Sequence, residues 1–91
     1  NKYKKAIDEC KIAIRISPAL SLSYIRLGSI YYRLGSIAYV AGKKEEADNY
    51  WNLTKRNWEK AKRIDPSQPE LKEIFGKYYK DGKIIFRKEK L

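Results

Sequence analysis

Residues able to carry covalent or acid–base chemistry are scarce in this sequence. It contains no histidine, which removes the commonest general base and the commonest metal ligand. A single cysteine, Cys10, can complete neither an internal disulfide nor a zinc ribbon, and it is compatible with a reducing, cytoplasmic setting. The 11 acidic residues are scattered and show no pairing of the kind a hydrolase uses. No glycine-rich phosphate loop is present, because Gly28 and Gly35 fall inside a helical pattern where they suit packing. Recognition chemistry, by contrast, is plentiful. Eight tyrosines, two tryptophans and 21 basic residues offer amphipathic contact area and charge. Arg26 and Arg33 are seven apart, as are Ser29 and Ser36, and Tyr32 and Tyr39, so each pair shares one face of a helix. Arginine forks suit carboxylates, and residues 21–42 hold no acid of their own. Binding is therefore expected rather than catalysis, with no cofactor and no metal.

The elements that would position these residues are helical. Lys, Glu, Ala, Ile, Leu and Arg are common, and three prolines and five glycines punctuate the 91 residues. Ala6, Ile7, Cys10, Ala13 and Ile14 recur at the i, i+3, i+4, i+7 spacing of an amphipathic helix. Proline closes two similar phrases, Ala13-x4-Pro18 and Ala61-x4-Pro66. The net charge of +10 is spread evenly along the chain, which suits a soluble basic surface or an acidic partner. No run reaches the ~18 apolar residues of a membrane span. The sequence has no methionine, so a fragment or processed product is expected.

The second-helix phrase Ala6-x3-Cys10, Ala13, Pro18 is followed by Tyr24-x2-Leu27-Gly28-x2-Tyr31. Then come Ala47-x3-Trp51, Ala61 and Pro66, and finally Phe75-Gly76-x2-Tyr79. In this order the chain resembles the tetratricopeptide repeat family, whose unit of about 34 residues carries such a first-helix motif and such alanines and proline on its second helix. The resemblance implies an all-α fold, antiparallel helical hairpins of a right-handed solenoid with four to five helices in this chain. Residues 1–20 would be the second helix of a partial unit, 21–68 a full unit, and 69–91 a partial third unit or capping helix.

One departure from the family pattern is informative. Gly28 precedes Pro66 by 38 positions, where the family unit spans roughly 24. One inserted heptad is visible as Leu27-Gly-Ser-Ile-Tyr-Tyr-Arg33 followed by Leu34-Gly-Ser-Ile-Ala-Tyr-Val40, and a second as Trp51 and Trp58. A heptad drifts only ~20° on a helix, so both arms of the middle hairpin are expected to be longer by about two turns with their packing kept. The expected map is helices over about 2–16, 19–41 and 44–64, a turn at Gly42-Lys43, and a fourth helix from about 68 to 80 ended by Asp81-Gly82. Residues 83–91 are expected to form a short helix rather than a strand. Cys10, Trp51 and Trp58 are expected in the core.

The resemblance also implies a site. Family groove positions fall on Leu22, Ile25, Arg26, Ser29, Tyr32 and Arg33, and the extra heptad adds Ser36 and Tyr39. The expected partner is a protein or peptide, acidic or carboxylate-bearing, held in the concave groove. The carboxylate-binding subgroup of the family uses asparagine where this chain has Ser29 and Ser36. The alternatives are that Tyr32 and Tyr39 pack against a neighbouring helix and that Arg26 and Arg33 are solvated or paired internally. Two other functional readings stand beside the scaffold: a basic binder of nucleic acid or another acidic surface, and an oligomerisation or spacer segment, with self-association of the chain.

Overall fold

A computed structural model describes residues 1–87, and within them the chain is predominantly helical. Helix α1, Lys2–Ile16, is capped by the Asn1 side chain, which accepts from the Lys4 amide at 2.8 Å. Its stripe of Ala6, Ile7, Cys10, Ala13 and Ile14 is half-buried, and no residue of α1 is fully buried. The Ser17 amide donates to Ala13 O to close the helix, and Tyr24 OH donates to Pro18 O across the turn. Helix α2, Ser21–Val40, and helix α3, Lys44–Ile64, then form a hairpin through a turn in which Gly42 takes a φ of 80°. At 20 and 21 residues the two arms are each about 30 Å long.

The hairpin packs through two matching contacts. A Cβ added at Gly28 would stand 2.6 Å from Cδ1 of Trp58, and one at Gly35 would stand 2.5 Å from Cδ1 of Trp51. Each indole also donates to the carbonyl three residues before its glycine, Trp58 to Ile25 at 3.3 Å and Trp51 to Tyr32 at 3.2 Å. Seven residues forward on α2 and seven back on α3 reproduce the same contact, as the duplicated heptad requires of antiparallel helices. Ala47, Thr54 and Ala61, also seven apart, are fully enclosed along α3. Trp58 is 2 % exposed and joins Ile25, Tyr32, Leu71, Ile74 and Tyr79 in the core. Trp51 is half-buried beside it.

The fourth helix departs from expectation. An Asp65 carboxylate that accepts from the Ser67 amide and hydroxyl leads the chain out of α3. Helix α4 covers only Glu70–Glu73, followed by one widened turn, Ile74–Tyr78. Phe75 (ψ 97°) and Gly76 (φ 131°) leave helical geometry there. Strand β1, Tyr79–Lys80, then pairs antiparallel with strand β2, Lys83–Ile84, with Tyr79 opposite Ile84 and Lys80 opposite Lys83. Residues 83–87 are thus not the expected short helix; they begin as a strand, and 88–91 lie outside the described residues. Asp81 and Gly82, both at positive φ, make the two-residue loop that matches strand twist. The break seats Tyr79 against Trp58, with ring centroids 6.3 Å apart, and its hydroxyl donates to the Glu59 carboxylate. A Cβ added at Gly76 would meet nothing within 4 Å, so this glycine does not pack a helix as Gly28 does.

Candidate functional site

Three hollows meet on the outer face of α2. The first, about 340 Å³, lies between α2 and α4, with Ile25, Tyr32, Trp58, Ile74 and Tyr78 as its floor and Ser29, Arg33, Glu70 and Glu73 at its rim. The second, about 590 Å³, lies between α1 and α2, where Ala6, Glu9, Cys10 and Ala13 face Leu22, Ile25 and Arg26. The third, about 320 Å³, continues it toward Lys2 and Tyr3 beside Ile30 and Arg33. Ser29 lines all three. The small side chain at this point of α2 borders all three, which lie side by side as a groove between α1 and α4.

The residues expected to form the site divide into two sets. Arg26, Ser29 and Arg33 are exposed along the groove, Leu22 is half-buried in its α1 side, and Ile25 is buried in its floor. Among the described residues the ion pairs are Lys4–Asp8 and Lys44–Asp48, both exposed, so neither groove arginine is paired. The second set does not continue the ladder as an exposed surface. Tyr32 is 7 % exposed; its hydroxyl donates to Ile85 O at 3.0 Å and accepts from the Arg87 amide at 2.9 Å. Ser36 is fully enclosed, with its hydroxyl donating to Tyr32 O at 2.9 Å. Tyr39 remains 45 % exposed, but its ring lies 5.5 Å from that of Trp51 and 5.0 Å from that of Phe86. The segment after β2 thus engages Tyr32 of the first heptad and Tyr39 of the second, while of the serine pair Ser29 is open and Ser36 is enclosed.

Electrostatics refine the picture. The Glu70 carboxyl is held below its usual range by the Gln68 amide that donates to it at 2.8 Å, then by its own backbone amide and by the charge of Arg26. Gln68 is itself fixed by the Ser21 hydroxyl at 3.1 Å, which ties the start of α4 to the start of α2. Burial pushes the Cys10 thiol up, with Arg26 opposing and Glu9 adding. That direction is opposite to the one that activates a thiolate. Burial likewise pushes the Tyr32 phenol up, against the opposing bond from the Arg87 amide.

Glu70 and Glu73 are groove residues that the sequence reading passed over. They sit three apart in the first turn of α4 and so share a face, but only tertiary packing brings them opposite Arg33. Among the described residues no group of His, Cys, Asp or Glu is placed to hold a metal. Nor, among the described residues, is any helix long and apolar enough to cross a membrane. No family model, no curated protein and no solved structure matches this chain.

Proposed function

We propose that this chain is a protein-interaction module, a stretch of a tetratricopeptide-like right-handed solenoid that holds a carboxylate-bearing partner protein or peptide in the groove along α2. The observation that carries the reading is the position of Ser29, which borders three adjacent hollows between two exposed arginines, Arg26 and Arg33, that have no ion pair among the described residues. A guanidinium presents a fork of donors that matches a carboxylate, and two of them seven apart can engage two acids of one bound segment. The solenoid part of the reading draws support from α1, whose Ile12 and Ile16, together with Leu20 in the following turn, stay exposed as an apolar edge suited to a preceding helix.

The net charge of +10 favours a second reading, in which the partner is nucleic acid. One experiment separates the two. The protein is immobilised as wild type and as Arg26→Ala/Arg33→Ala, exposed to lysate with and without nuclease, and the retained proteins are identified. A protein partner held by wild type in the presence of nuclease and lost by the double variant is the expected result. Equal retention by both would remove recognition from α2, and retention that vanishes with nuclease would replace the scaffold reading with the nucleic-acid one.

A further inference from the structure

The hollow between α2 and α4 has a chemistry of its own within the groove. Its floor is aromatic and aliphatic, and two of the polar atoms of that floor are already satisfied. Trp58 Nε1 donates to Ile25 O, and the Tyr32 hydroxyl holds two backbone partners. Such a floor accepts hydrocarbon. The charges stand at the rim and differ by wall. Arg33 and Ser29 belong to α2, while Glu70 and Glu73 belong to α4. All four rim residues are exposed. Glu73 and Arg33 have no ion pair or hydrogen-bonded partner among the described residues, and the side-chain partner of Glu70 is the uncharged Gln68, with the charge of Arg26 acting on it from α2. On a chain of net charge +10, two carboxylates one helical turn apart make the α4 wall of this apolar hollow acidic, facing the basic wall of α2.

We propose that this hollow receives a long-stemmed basic side chain, lysine or arginine, of the partner bound in the groove. The stem lies on Ile25, Ile74 and Tyr78, and the head reaches Glu70 and Glu73. Long basic side chains combine an apolar stem with a charged head in this way. Arg33 on the opposite wall takes a carboxylate of the partner next to the basic residue, so the preferred segment carries an acid beside a base rather than acids alone. The inference rests on the groove reading above and narrows it: Arg26 and Arg33 hold an acidic segment, and the α4 wall selects a base within it.

The test uses the full chain and fluorescein-labelled acidic dodecapeptides that differ only at one central position, occupied by arginine, lysine, norleucine or glutamate. Binding is read by fluorescence anisotropy for wild type, Glu70→Gln/Glu73→Gln and Arg26→Ala/Arg33→Ala. Norleucine keeps the stem and removes the charge. The expected result is a roughly fivefold preference for arginine or lysine over norleucine, the upper range of a solvent-exposed ion pair. That preference disappears in Glu70→Gln/Glu73→Gln, while Arg26→Ala/Arg33→Ala weakens all four peptides together. Both carboxylates are exposed, so the glutamine variant keeps the wild-type melting temperature. Binding that ignores the central residue, or favours norleucine, would overturn the inference and leave the groove reading standing. A basic preference that survives Glu70→Gln/Glu73→Gln would place its origin elsewhere and overturn it too. Failure of every peptide to bind wild type would count against the groove reading itself, and the inference would fall with it.

Discussion

At Gly28 a single hydrogen is all that fits between α2 and the indole of Trp58, because a methyl group there would meet ring atoms at 2.6 and 2.8 Å. Alanine is the better helix former by about 1 kcal/mol, so on propensity alone Gly28→Ala would stabilise. The overlap decides the sign instead. Trp58 is enclosed and its Nε1 is tied to Ile25 O, so it cannot yield without disturbing the core, and overpacking of this kind costs about 1–3 kcal/mol. Gly28→Ala is expected to lower the urea midpoint. Gly35→Ala meets the same overlap at Trp51 but should lower it less, because that indole is half-buried and can move outward. Equal losses would mean that the two glycine–indole contacts are equally rigid. A second residue-scale consequence follows from Tyr79, whose phenol is pushed up to about 12 by burial and then by its bond to Glu59. A pKa raised on folding means that the folded state favours the neutral phenol. The associated stability is present below about pH 10, the ordinary phenol value, and is lost as pH rises toward about 12. Tyr32, also raised, acts in the same direction. Urea unfolding across that window should show a steeper fall for wild type than for Tyr79→Phe.

Among the elements, the contrast between the α2–α3 hairpin and the segment after α4 shows what periodicity can and cannot reveal. Helix α1 and helix α3 occupy the residues their apolar spacing indicates, and α2 begins only two residues later and ends one sooner than expected. Those helices were legible because the small residues and indoles that pack them recur on the heptad. Phe75-Gly76-x2-Tyr79 repeats the letters of Leu27-Gly28-x2-Tyr31 without its surroundings, since no facing indole stands over Gly76. The aromatic residues Tyr78 and Tyr79 reach the core by leaving the helix. A hairpin signal was available in Asp81-Gly82, flanked by Tyr79 and Ile84, but it read only as a helix stop. Gly82 has a φ of 76°, where an L side chain costs about 1–2 kcal/mol. Gly82→Ala should therefore loosen the hairpin locally. Amide exchange of Ile85, which donates to Tyr78 O at 2.8 Å, should speed up while the amides of α3 keep their protection. Unchanged exchange at Ile85 would show that the loop is not what holds the two strands together.

For the whole molecule, the groove is the product of three elements that sequence alone does not bring together. Arg26, Ser29 and Arg33, groove positions implied by the family resemblance, are exposed on one face of α2. Tyr32, Ser36 and Tyr39 lie on the same period, yet Ile85, Phe86 and Arg87 engage Tyr32 and Tyr39, and Ser36 is enclosed between α2 and its surroundings. Coverage by a later segment leaves no mark on the helix it covers. Glu70 and Glu73 were invisible as groove residues for the converse reason, since their position opposite Arg33 depends on where the α3–α4 turn delivers α4. The result is a groove of mixed sign, basic along α2 and acidic along α4 and at Glu9, on a molecule that is basic overall.

The most direct test of a partner groove on α2 is a backbone amide chemical-shift map of the full chain titrated with the acidic arginine-centred dodecapeptide, repeated with Ser29→Trp to block the position that borders all three hollows. Ser29 is exposed, so the substitution should leave stability within about 0.5 kcal/mol. Shifts concentrated at Ala6, Cys10, Ile25, Ser29, Arg33 and Glu73, and abolished by Ser29→Trp, are the predicted result. Shifts centred instead on the exposed basic residues of α3, Arg56, Lys60 and Arg63, and indifferent to Ser29→Trp, would contradict it.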